Sequence, residues 1–237
     1  MNRKYLVAVL FIFSLALIIG GNYIHIYKTR NSIDYSDASA RSKSKMTILI
    51  EVDKKQLHLI DRENEKIIKT YPIATGKPNS PTPLGSFKIV QKDKWGEGFG
   101  TRWLGLDVPW GKYGIHGTNK PGSIGGNLSG GCVRMNNRNI EDLYDYVEVG
   151  TPVLITNGLY GPFGHGFRTL APGDRGADVL EVQKRLNIKG YYDGSLDGIY
   201  GEGLKAALIK FLKAENIPLT DQITSDIYER LGIVLME

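Results

Sequence analysis

From residue 46 onward the apolar positions recur with the period of strands, and near residue 170 they change to the period of helices. Residues 47–52 (Thr-Ile-Leu-Ile-Glu-Val) and 56–60 (Gln-Leu-His-Leu-Ile) are short apolar or alternating runs. Asp53-Lys54-Lys55 separates them, which is the pattern of a hairpin. Residues 67–73, 86–90 and 102–108 continue the series with Gly and Pro clusters between them. Pro81-Thr82-Pro83-Leu84-Gly85 reads as a rigid turn entering a strand. Ile140, Leu143, Tyr144 and Val147 fall at i, i+3, i+4 and i+7 behind an Asn136-Asn137 start signal, so one helix interrupts the strands. Residues 152–156 read as a last strand. The pattern predicts a β-rich domain with one helix over residues 46–157.

Residues 158–167 (Gly-Leu-Tyr-Gly-Pro-Phe-Gly-His-Gly-Phe) read as a Gly-rich linker. Beyond it, Val179, Val182 and Leu186 mark one amphipathic helix. Leu204, Leu208, Phe211 and Leu212 mark a second, and Ile223, Ile227 and Leu231 a short third. A polar loop, Tyr191-Tyr192-Asp193-Gly194-Ser195-Leu196-Asp197-Gly198, joins the first two. Residues 168–237 therefore read as a three-helix module. At the other end, residues 5–27 contain no Asp, Glu, Lys or Arg. As a helix this run would be roughly 34 Å long, enough to cross a hydrocarbon core of about 30 Å. A cleaved signal peptide is the competing reading, but no small-residue cleavage site follows closely. Residues 1–27 are expected to be a transmembrane anchor, and 28–45, rich in Ser, Asp, Lys and Arg, a polar tether. The flanking charges do not fix the orientation of the anchor, because the positives after it outnumber those before it.

Charge and cysteine count narrow the function. The formal net charge is +5. Residues 1–45 alone carry seven basic and two acidic residues, residues 46–167 carry fourteen and twelve, and residues 168–237 carry nine and eleven. The excess lies in the leader and tether rather than on a folded face, which argues against nucleic acid as a partner. A single cysteine excludes an internal disulfide framework. That cysteine is either a small buried hydrophobe or a nucleophile.

Its surroundings favour chemistry. Cys132 lies in Ser129-Gly130-Gly131-Cys132-Val133-Arg134-Met135, where the glycines let the backbone approach a substrate and aim N–H groups at a developing oxyanion. Of the four histidines, only His116 lies in a Gly-flanked turn near Cys132 in sequence, which makes it the candidate base. A backbone carbonyl could orient its ring. Cys and His together supply two ligands where zinc wants three or four, and no Asp or Glu lies between them, so neither a metal nor another cofactor is expected. Arg134 follows Cys132 by two and shares its face in an extended strand. Its fork suits a substrate carboxylate, with a salt bridge to Glu141 or Asp142 as the alternative. Tyr113, Trp103 and Trp110 either line the cleft or belong to the core. Tyr113, Trp110, Ser129 and Arg134 are the candidate substrate-binding residues.

Three pieces together, Thr82-Pro83-Leu84-Gly85, Gly114-Ile115-His116-Gly117-Thr118 and Ser129-Gly130-Gly131-Cys132-Val133-Arg134-Met135, resemble the signature of the L,D-transpeptidase catalytic domain. The resemblance implies a β-sandwich-like fold with the cysteine at the floor of a cleft. It implies peptidoglycan cross-linking, in which Cys132 is acylated and His116 takes its proton. The Gly117 backbone would orient the imidazole, and N–H groups around Gly131 and Cys132 would hold the oxyanion. Many members carry a second histidine two residues before the cysteine; Gly130 stands there. The C-terminal part, with Leu170, Gly173, Gly176, Val182-Gln183, Leu186 and the Asp193-Gly194 and Asp197-Gly198 turns, resembles a three-helix peptidoglycan-binding module. The expectation is a membrane-tethered, wall-facing L,D-transpeptidase with peptidoglycan as its partner. A carboxypeptidase or hydrolase using the same pair, or a non-catalytic wall-binding protein, are the alternatives.

Overall fold

The computed structural model describes residues 45–235. The anchor expected over residues 1–27 lies outside the described residues, as does the tether apart from Lys45. Among the described residues no helix is long and apolar enough to cross a membrane.

The first domain is mainly β, as the hydrophobic pattern predicts. Its strands are β1 (Met46–Glu51), β2 (Gln56–Asp61), β3 (Lys66–Pro72), β4 (Thr75–Gly76), β5 (Gly85–Asp93), β6 (Trp103–Leu106), β7 (Tyr113–His116), β8 (Asn127–Ser129), β9 (Val133–Arg134) and β10 (Pro152–Thr156). The larger sheet has the order β3-β2-β1-β10-β5-β6-β7-β9. β1 and β10 are parallel, with Ile48 opposite Val153, and β7 and β9 are parallel, with Ile115 opposite Val133. Beyond β3 the chain runs through Ile73 to Ala74, which exchanges two backbone hydrogen bonds of 2.9 Å with Arg134. The edge strand β9 is thus tied to the segment that leaves the opposite edge, and the sheet curls around one core. Alternation decides which side chains enter that core: Ile48 and Ile50 of β1, Leu57 and Leu59 of β2, and Val153 and Ile155 of β10 are buried there.

The one helix of this domain, α1 (Asn137–Tyr146), buries Ile140 and Leu143. Its middle and its C-terminal end are held by the sheet. Lys92 of β5 donates to the carbonyls of Tyr144 at 2.8 Å and Val147 at 2.6 Å, which satisfies backbone acceptors at the helix C-terminus. Asp142 accepts from Lys69 and Tyr71 of β3 at 2.7 Å each, and both partners hold its carboxyl below the usual range.

The C-terminal region contains α2 (Ala177–Ile188), α3 (Glu202–Ala214) and α4 (Ser225–Arg230) around a second core of Val179, Val182, Leu208, Phe211, Ile227 and their neighbours. Gln183 of α2 is fully buried and its amide is saturated. Its nitrogen donates to Asp197 Oδ1 at 2.8 Å and to the Ile199 carbonyl at 3.1 Å, and its oxygen accepts from Gly198 N–H at 2.7 Å. The Asp-Gly loop is therefore fixed to the helix rather than being simple punctuation. The Gly-rich linker 158–167 is also packed: Phe163 and Phe167 lie on Tyr228, with Phe167 stacked at 4.3 Å.

The two domains are in contact. Ala177, Leu180 and Ile199 pack against the first core. Trp110 is central to this contact, standing edge-on to Phe87 at 5.8 Å. A Cβ on Gly198 would lie 2.6 Å from its ring, so only glycine admits this approach.

Candidate active site

Register assembles the site. β7 pairs with β9 so that Ile115 lies beside Val133 and His116 beside Arg134. Ile115 and Val133 enter the core, and His116 and Arg134 share the opposite face. Extended by one residue, the same register brings Cys132 beside Gly114. β6 adds Trp103, which pairs with His116, to that face. A Cβ on Gly114 would lie 2.6 Å from the Trp103 indole and 2.7 Å from the Leu104 carbonyl. Glycine at 114 thus lets the indole lie flat beneath the imidazole.

The nucleophile sits at the end of a turn built by Ser129. Ser129 is 1% exposed. Its hydroxyl accepts from the Gly131 N–H at 3.0 Å and donates to the Cys132 carbonyl at 2.6 Å. Ser80 Oγ holds the next carbonyl, that of Gly130, at 2.9 Å. Gly131 has φ 113°, a conformation that favours glycine, and a Cβ there would meet the Tyr113 ring at 2.6 Å. The Gly131 N–H is thus engaged by Ser129 within the turn. Ser129 is buried, and its hydroxyl is engaged within the turn. The Cys132 N–H, which has no acceptor among the described residues, is left to meet an oxyanion.

His116 is 3% exposed. Its Nδ1 donates to the Gly117 carbonyl at 2.5 Å, which fixes the tautomer and leaves Nε2 as a proton acceptor. Burial lowers the imidazole below its ordinary value, and the Arg134 charge adds to this, while the Gly117 and Phe99 carbonyls oppose it. Burial also raises the Cys132 thiol, against a backbone hydrogen bond from Gly114 and the charge of Arg134. Burial thus disfavours the charged form of both partners. A Cβ on Gly117 would collide with Asn137 Oδ1, which itself accepts from the Thr101 N–H at 3.3 Å.

An aromatic cover that the sequence pattern did not single out closes over the base. The segment between β5 and β6 carries Trp95 and Phe99. Trp95 stacks on Trp103 at 4.6 Å, and Phe99 stands edge-on to His116 at 5.0 Å. Trp103, only 2% exposed, is sandwiched between Trp95 and the imidazole. These rings help bury the imidazole, and burial is what lowers it below its ordinary value. The Gly spacing of residues 96, 98 and 100 was the available signal for a segment able to fold so tightly.

The structure brings together Cys132, His116, Gly117, Gly131, Ser129, Tyr113 and Arg134. Trp110 is elsewhere: it is 4% exposed and serves the contact between domains rather than the cleft. Asp142 is engaged by Lys69 and Tyr71, and Arg134 has no ion pair among the described residues, so its alternative as an internal salt bridge is not what is seen. Among the described residues no three of His, Cys, Asp and Glu gather as metal ligands.

A buried imidazole, a thiol on the same sheet face and an N–H at that thiol without an acceptor among the described residues are groups that cysteine acyl-transfer chemistry can use. Residues 47–155 match the model of the L,D-transpeptidase catalytic domain, and residues 175–231 that of a peptidoglycan-binding domain. The first match falls on the β domain that holds Cys132 and His116, and the second on the helical module. It is 44% identical over 110 residues to a Bacillus licheniformis protein provisionally named L,D-transpeptidase YkuD, covering 46% of this chain and 64% of that protein. It is 46% identical over 93 residues to the Bacillus subtilis protein of the same name, covering 39% of this chain and 56% of that protein. The chain thus spans less than two thirds of the length of either relative. Among solved structures it is similar to the catalytic domain of an E. faecium L,D-transpeptidase, with 25% identity, TM-score 0.41, and coverage of 48% of this chain and 99% of that one.

Proposed function

We propose that the chain is an L,D-transpeptidase that cross-links peptidoglycan stem peptides through an acyl-enzyme on Cys132. The observation that carries the reading is the buried imidazole of His116, its Nδ1 tied to the Gly117 carbonyl, on the sheet face of the only cysteine. Cys132 Sγ attacks the carbonyl between the third residue of a donor stem and its terminal D-alanine. His116 Nε2 takes the thiol proton and passes it to the departing amine. The Cys132 N–H stabilises the tetrahedral oxyanion; one such donor is typically worth about 100–1,000-fold in rate. A side-chain amine of a second stem then resolves the thioester.

The test uses the full chain with tetrapeptide-bearing muropeptides and mass spectrometry. Cross-linked dimers and a Cys132 acyl adduct are expected. D-Alanine release without dimers would make the enzyme a carboxypeptidase, with water replacing the amine. No adduct, or full activity in Cys132→Ala, would refute the mechanism. The uncharged run over residues 5–27 supports the further reading that the enzyme is anchored in the membrane with its body facing the wall. A C-terminal reporter that is active only outside the cytoplasm tests it, and activity of the opposite reporter would reverse it.

A further inference from the structure

One residue of α1 touches both stretches of backbone that frame the base. Residues 100–102 run beside Gly117 and Thr118, and Gly117 N–H donates to the Arg102 carbonyl at 3.2 Å. A Cβ on Gly100 would fall on the carbonyl carbon of Gly117 and the nitrogen of Thr118, so only glycine admits this approach. The peptide it lies against is the one whose carbonyl accepts from His116 Nδ1. Asn137 Oδ1 sits at the junction. A Cβ on either Gly100 or Gly117 would fall on this oxygen, and the oxygen accepts from the Thr101 N–H at 3.3 Å. The Thr101 hydroxyl is buried and has no partner among the described residues, so it adds no bond of its own here.

Asn137 reaches this junction from a well-tied support. Two residues before it, Met135 N–H donates to the His116 carbonyl at 2.8 Å. Farther along α1, Asp142 is bound by Lys69 and Tyr71 of β3, and Lys92 of β5 holds the C-terminal carbonyls. Capping does not account for the side chain, because Asn136 occupies the cap position. On the other side of the junction, Phe99 directly precedes Gly100 and stands against both Trp103 and His116. Whatever fixes Gly100 and Thr101 therefore fixes the Phe99 ring and the Gly117 carbonyl together.

We propose that Asn137 is a positioning residue for the base: its side-chain oxygen clamps the Gly100–Thr101 segment against Gly117, which holds the Gly117 carbonyl on His116 Nδ1 and leaves Nε2 for the thiol proton. This rests on the acyl-transfer reading, in which His116 is the base, and the test keeps the two separate.

The Nδ1 proton of His116 is followed by NMR in the full chain and assigned by its loss in His116→Gln. A proton held in a buried hydrogen bond exchanges with water slowly enough to be observed. Asn137→Ala is expected to lose this signal and to slow acylation of Cys132 by ~10–100-fold, the scale of a small misplacement at a reacting group. Asn137→Ser, too short to reach Thr101 but polar at the helix start, should do the same and serves if the alanine variant folds poorly. Asn137→Asp keeps an acceptor oxygen and should keep the signal. Two controls separate positioning from stability: Asn136→Ala removes the neighbouring amide, and Ile140→Val weakens the core contact of the same helix. Both should keep signal and rate. The proposal is overturned by a parent without the signal, by an unchanged signal in the Ala and Ser variants, or by a lost signal with the parent's acylation rate. Equal loss in Ile140→Val, or an Asp variant that behaves as Ala does, overturns it too. Adduct formation by the unsubstituted chain is read in parallel: its absence would sink the acyl-transfer reading, while the NMR signal still decides whether Asn137 holds the imidazole.

Discussion

Replacing Ser129 with alanine tests whether the nucleophile turn is built from within. The hydroxyl makes two hydrogen bonds, one to each side of the turn, and is almost wholly shielded from water. Alanine leaves the Gly131 N–H and the Cys132 carbonyl without partners. Each lost bond costs about 1 kcal/mol, and a buried donor left unsatisfied adds to that, giving about 2–4 kcal/mol in all. For a protein of this size that corresponds to a fall in unfolding midpoint of roughly 4–16 °C. The larger effect concerns catalysis. The Cys132 N–H is aimed by the same turn, and a displacement on the order of 1 Å at a reacting group costs about 100-fold. Acyl-enzyme formation should be followed by mass spectrometry beside alkylation of Cys132 by iodoacetamide, a neutral reagent that needs no oxyanion site. The variant should lose about 100-fold in acylation while alkylation changes by about threefold or less. If acylation and alkylation fell together, the turn would act on the thiol and not on the oxyanion donor. If neither stability nor acylation changed, the Ser129 bonds would have no role.

Three further outcomes follow from the same geometry. Because His116 is held below its ordinary value, acylation should stay level through neutral pH and decline only below about 6.5. The unfolded chain protonates this histidine before the folded one does, so stability should fall as pH drops through that range; urea titrations of the parent and His116→Gln between about pH 5 and 7 check it, and an opposite slope would refute it. Of the adjacent glycines, Gly130→Ala should be nearly neutral because its Cβ meets open space, whereas Gly131→Ala faces φ 113° and the Tyr113 ring and should cost about 1–3 kcal/mol and most of the activity. Trp110→Ala should cost about 3–5 kcal/mol and split a single calorimetric transition into two, since Trp110 joins the two cores; a single transition at the parent's midpoint would show that the domains are not coupled through it.

The strands that were legible in the sequence are those with one face in the core and enough length to show alternation, such as β1 and β2. The strands that build the site, β7 and β9, were not, because they are short and Gly-rich and take their order from the register of neighbours distant in sequence. The chemistry was legible for a different reason. A thiol, an imidazole and flanking glycines are rare residue types whose presence is informative without any fold. Their partners were hidden. Ser129 looked like a residue that meets substrate, and only its burial shows that its hydroxyl serves the turn. Trp110 and Trp103 looked alike in sequence, yet one joins the domains and the other underlies the base. An aromatic side chain states how much surface it can bury and not where. Asn137 and the aromatic cover act through contacts with no local pattern, so no periodicity could reveal them.

The placement of Arg134 opposite His116 has a consequence for the direction of proton flow. Its charge favours the Cys132 thiolate and disfavours the His116 imidazolium. During attack the two effects oppose one another, so the guanidinium neither drives nor blocks transfer from sulfur to nitrogen. Once sulfur has added to the carbonyl carbon it no longer carries the anion, and of these two effects only the second remains. The imidazolium then faces an unneutralised cation and is pressed to release its proton to the departing amine. Arg134 would thus assist collapse of the tetrahedral intermediate more than its formation. Replacing it with glutamine removes the repulsion, so the acid limb of the acylation profile should shift to higher pH, toward the ordinary histidine value. A shift to lower pH, or none, would show that the Arg134 charge is screened from the imidazole and that burial alone sets the behaviour of the base.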